Sequence, residues 1–114
     1  MANTLRNEVK IILAGEERTM RATFTAIRAI EKDVGKSIMA LINQLGQQGD
    51  LSVTDAAVVI HNGLRGHDDN RLTLPEVGAA ILEAGLTNVS MAVVEFVSMA
   101  LNGVSVGKPE TAAQ

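Results

Sequence analysis

Between Asn7 and Leu13 the apolar side chains fall on every second residue, Val9, Ile11 and Leu13. After Ala14-Gly15-Glu16 the alternation resumes, with Met20, Ala22 and Phe24 set between Thr19, Arg21 and Thr23. A period of two on either side of a short Gly-containing stretch predicts a β-hairpin turning at Ala14–Glu16. A lone hairpin is marginal in water, so its apolar face must lie on the elements that follow. Its edge is then a surface that has to be covered or paired.

From Thr25 onward the period lengthens to that of a helix. Thr25 reads as an N-cap for a helix carrying Ile27, Ile30 and Val34 inward, and Gly35 ends it. Ser37 starts the next, with Ile38, Leu41, Ile42 and Leu45 as its stripe before Gly46 and Gly49; the two could equally be one bent helix. Gln47 to Asp50 is a polar loop, and Ser52 with Asp55 forms a capping-box variant ahead of a third helix that buries Ala56, Val59, Ile60 and Leu64. Gly66-His67-Asp68-Asp69-Asn70 reads as a solvated turn. Thr73-Leu74-Pro75-Glu76 is a fuller helix start, with hydroxyl cap, early proline and glutamate at the third helical position. The fourth helix ends at Gly85, and Thr87 caps a fifth that runs to Gly103. Leu51–Gly66 and Leu86–Gly103 share a hydroxyl-bearing start, an Ala-Val-Val run and a closing glycine, a likeness that caps and periodicity generate without an internal repeat.

The fifth helix carries more apolar surface than one contact needs. Val89, Val93, Phe96, Val97 and Ala100 form one stripe, while Met91, Val94 and Leu101 lie opposite, with Glu95 the one charge in its interior. Either the domain wraps this helix completely or part of it meets another protein. Met39 is a similar surplus beside the stripe of the second helix. Methionine suits adaptable apolar contacts, so Met91, Val94, Leu101 and Met39 are the candidate partner-binding residues. The fifth helix is shorter than the roughly 20 residues that cross a bilayer, which argues against a membrane span. The expected fold is α+β, mostly α, with the hairpin packed on four to five short helices in one domain over 1–103. The aperiodic segment 104–114 is expected to be disordered.

Composition narrows the chemistry. The 114 residues are 46% hydrophobic and 2% aromatic, with no Trp, Tyr or Cys and a formal charge of −3. Thiol catalysis, cysteine zinc sites and disulfides are excluded. Without aromatic stacking platforms or a basic field, nucleic-acid binding is disfavoured. The first residues show no apolar segment of a secretion signal, so the expectation is a cytoplasmic protein.

His61 and His67 are the two histidines, and His67 stands beside Asp68 and Asp69. A metal-dependent enzyme would centre there, but the histidines are not fixed on one helical face. Asp69, Asn70, Leu72 and Glu76 imitate the tail of a calcium loop, yet Arg65 and His67 fall where oxygen ligands are needed. Arg28, Glu31, Lys32 and Asp33 read as a solvated helix face with weak internal pairs. No phosphate loop or nucleophile elbow occurs, so the expectation is a non-enzyme with no metal and no cofactor.

The order of features, a hairpin around Ala14-Gly15-Glu16-Glu17-Arg18, Thr25-Ala26-Ile27 with Ile30-Glu31 and Gly35, Asp55 leading to Leu64-Arg65, and Glu76-Val77 leading to Gly85-Leu86, resembles the tail assembly chaperones of siphophage-like and gene-transfer-agent tail clusters. The likeness spans about Asn3 to Gly103 and rests on spaced aliphatics and caps; the Gly66–Asn70 loop has no match in it. The resemblance implies a small non-enzymatic cytoplasmic protein, absent from the finished particle, that binds the tape-measure protein and recruits tail-tube subunits. A structural tail component, a tube or adaptor subunit assembling through the hairpin, is the alternative. Homo-oligomerisation is left open by either reading.

Overall fold

The structure, a computed structural model, describes residues 7–103 together with the backbone of Ala2–Asn3. The expected disordered segment 104–114 lies outside the described residues. Three strands, β1 (Ala2–Asn3), β2 (Glu8–Leu13) and β3 (Glu16–Arg21), form an antiparallel sheet in the order β1-β2-β3. They precede α1 (Phe24–Val34), α2 (Ile38–Asn43), α3 (Val53–Gly66), α4 (Leu74–Ala84) and α5 (Leu86–Asn102). The fold is thus the expected α+β arrangement, mostly α, with a hairpin on helices.

Leu13 pairs with Glu16 across a turn in which Ala14 (φ 53°) and Gly15 (φ 80°) are both left-handed. That geometry matches the twist of the flanking strands, and at Ala14 it costs about 1 kcal/mol because a Cβ is present. Val9, Ile11, Leu13 and Met20 are buried on the sheet's inner face, while Lys10, Ile12 and Glu17 are exposed on the outer one. The alternation expected beyond Met20 stops early. β3 ends at Arg21, Ala22 is half-buried, and Phe24 is 78% exposed at the start of α1 rather than in the sheet. The chain leaves the sheet once the Ala22 amide has bonded to the Asn7 carbonyl, so Thr23, not Thr25, is the N-cap, accepting from the Ala26 amide at 3.1 Å.

Ile30 is fully buried on α1, Ile27 and Val34 are half-buried, and Gly35 closes the helix at φ 84°. Of the charged face, Glu31 reaches across to accept from the Ile38 amide at 2.9 Å, which helps start α2 beside its Ser37 cap. α2 is a separate helix that loosens into a π turn at Gln44–Gln48 and stops at Gly49 (φ 61°). Leu45 is buried from that turn.

α3 occupies the centre, packed against β3, α1, α4 and α5. Ala56, Val59, Ile60 and Leu64 are buried as expected, and Ala57, Val58, Asn62 and Gly63 are buried as well. Ser52 caps the helix through the Asp55 amide at 3.0 Å, without the return bond of a full capping box. Thr73 and Glu76 complete that box on α4. The chain turns from α4 into α5 at Gly85 (φ 95°, ψ 125°), whose carbonyl accepts from Asn88 and Val89. This sharp corner leaves Thr87 inside the first turn and exposed, so it is not the cap expected there. α5 packs against α2, α3, α4 and β2, burying Val89, Val93, Phe96, Val97 and Met99.

Candidate protein-binding surface and the loop that closes on the hairpin

The surplus apolar residues have separate fates. Met91 is 71% exposed on the first half of α5, Leu101 is 38% exposed near its end, and Val94 between them is half-buried against the core. Met39 is 71% exposed on α2, which packs on α5. α5 is therefore neither sealed on every side nor bare along a whole second stripe.

Met91 belongs to a groove of about 510 Å³ lined also by Lys10, Ile12, Ala84, Ala92 and Glu95. A second depression continues it along β2 past Leu13 to Gly15, with Ala80 and Ala84 of α4 as its wall. Ile12, 72% exposed, stands in both. Lys10 and Glu17 face each other at 3.7 Å on the outer side of the sheet. The groove is thus apolar along its floor and near neutral on its strand side.

In the Gly66–Asn70 loop, read from sequence as a solvated turn, His67, Asp68 and Asn70 are exposed as expected, while the Asp69 side chain turns in against Arg18 of β3. Arg18 is buried on the inner side of that strand, where alternation alone would place an apolar residue. Its Nε donates to the Leu13 carbonyl at 3.0 Å, its Nη1 lies 3.6 Å from Asp69 Oδ2, and its Nη2 lies 3.8 Å from Glu16 Oε2. Arg71 closes the ring, donating from Nε and Nη2 to the Asp69 carboxylate at 2.9 Å each and lying 2.9 Å from Glu16 through Nη1. Hydrogen bonds from the Arg71 side chain, opposed by burial, lower the Asp69 carboxyl from 3.8 to about 2. The same pairing raises Arg71 above its ordinary value. Two cations and two anions alternate here, so the charges of these four side chains balance. Burial, helped by nearby Arg65, lowers the pKa of His61 on α3.

Gly66 makes the close approach feasible. It lies within α3 as its last residue, and a Cβ there would stand 2.2 Å from the Arg21 carbonyl oxygen. The sequence presents it as a helix-ending glycine, but its role is contact with the sheet. His67 and Glu8 approach to 3.5 Å at the same seam. Among the described residues no group of three or more His, Asp or Glu could hold a metal ion, and no helix is long and apolar enough to cross a membrane.

Fold and surface together define a small helical domain whose hairpin is clamped by a neutral charge cluster and flanked by an apolar groove. A family model described as phage tail tube protein, GTA-gp10, matches residues 6–103, and the chain belongs to that family. It is a member of a phage and gene-transfer-agent tail family. No curated protein and no solved structure matches the chain.

Proposed function

We propose that this protein serves tail building as a non-enzymatic structural component, a tube or adaptor subunit retained in the particle. The observation that carries this reading is the family match across residues 6–103, under a description that names the tail tube. The structure is compatible with it: the exposed features are a strand-edge groove and scattered apolar side chains, which suit contacts with other tail proteins. Its working location on this reading is the particle itself.

A second reading is favoured by Met91 and Met39, each 71% exposed on a helix. A cytoplasmic tail assembly chaperone would use such adaptable side chains, with Val94 and Leu101, to cover apolar helical faces of a tape-measure protein until the tube encloses them. Quantitative mass spectrometry of purified particles separates the two. Many copies per particle are expected for a structural subunit. Absence from the particle, with capture of the tape-measure protein from assembling cells, would overturn that role in favour of the chaperone.

A further inference from the structure

β2 is six residues long, but β1 pairs only with Glu8 and Val9. The Asn7 carbonyl bonds the Ala22 amide, and residues two apart share a direction in a ladder, so Val9, Ile11 and Leu13 turn their backbone groups toward β3. Lys10 and Ile12 therefore turn theirs away from β3. Among the described residues no backbone or side-chain group bonds to Ile12 on that side. Unpaired strand-edge groups are satisfied by another extended chain, and here they run beside the groove that holds Ile12, Ala84 and Met91.

We propose that this edge pairs with the same edge of a second copy of the chain, antiparallel and about a twofold axis through Ile12. Three features favour that occupant. The first is space: β1 blocks registers that slide toward Val9, whereas centring on Ile12 sets Ile11 against Leu13 of the second copy and stops short of β1. The second is the apolar match. The twofold brings the two Ile12 side chains, each 72% exposed, together on the outer face of the joined sheet. The third is charge. Two residues advance the strand by about 7 Å, so Lys10 of each copy lies beside the hairpin turn of the other, within side-chain reach of its Glu17. The two Lys10 residues are then about 14 Å apart, beyond strong mutual repulsion at physiological salt. An isologous contact of this kind joins two sheets into one and removes an exposed edge.

The test is sedimentation equilibrium of the full chain across a concentration series, with amide hydrogen exchange read at Ile12. A monomer–dimer equilibrium is expected, with Ile12 exchange slowing as the dimer fills. Ile12→Lys, at an exposed position, should weaken association by about tenfold or more. Glu17→Lys should weaken it too, and adding Lys10→Glu should restore it, because the swap keeps every cross-copy pair opposite in sign. A chain that stays monomeric throughout, a dimer indifferent to Ile12→Lys, or a dimer with unslowed Ile12 exchange would each overturn the proposal. Ile12 protection that arises only on adding a different tail protein would also overturn it and assign the groove to that partner.

Discussion

Arg18 and Asp69 carry the strongest residue-level constraint in the molecule. Each side chain is less than one tenth exposed, and removing one anion strands a cation that has already lost its water. Asp69→Asn is expected to cost about 3 kcal/mol in chemical denaturation, much of it recovered when Arg18→Met is added, because an apolar pair needs no hydration. The pH dependence follows from the sign of the shift. The folded-state carboxyl titrates at about 2 against an ordinary 3.8, so its stabilisation is complete above the ordinary value and fades as pH falls toward 2. Acid titration of wild type and Asp69→Asn should converge in that window. Gly66→Ala tests the same seam sterically. With a Cβ 2.2 Å from a backbone oxygen, a cost of about 2 kcal/mol or more is expected, together with faster exchange of the Ala22 amide as the seam opens.

At the scale of elements, helix starts were largely legible because a cap is a local event. Ser37, Ser52 and Thr73 do what their position beside an apolar run implies. Where the cap was misplaced, tertiary geometry decided: the sheet releases the chain at Thr23, and Gly85 turns the corner before Thr87. The inner stripe of α5 was also legible, since Val89, Val93, Phe96 and Val97 follow a helical period and are all buried. The opposite stripe was not uniform: Met91 and Leu101 are exposed, while Val94 between them is half-buried against the core. Paired substitutions expose that difference. Phe96→Ala should cost about 4 kcal/mol by emptying a fully packed site, whereas Met91→Lys, at a 71% exposed position, should leave thermal unfolding within a degree or two. If Met91→Lys or Val94→Lys then leaves capture of tail proteins undiminished, with the fold retained, the α5 surface is not where partners bind.

At the scale of the whole molecule, β3, α1, α4 and α5 pack on α3 and α2 packs on α5, and among the described residues the outward backbone groups of Ile12 on β2 have no partner. On the proposed tail role the protein works by contact with other chains, and the census of purified particles decides whether it stays in the finished tail. Sequence alone determined the class of fold, most helix starts and most of the inner face, because each follows from periodicity and caps within a dozen neighbouring residues, and it left open whether α1 and α2 are one bent helix or two. Tertiary structure alone decided that Arg18 is buried, that Asp69 leaves its loop to meet it, and that Gly66 touches a strand over forty residues away in the chain. The reason is physical: a charge or a glycine reads as exposed or as a turn until the partner that neutralises or crowds it is brought up from a distant part of the chain.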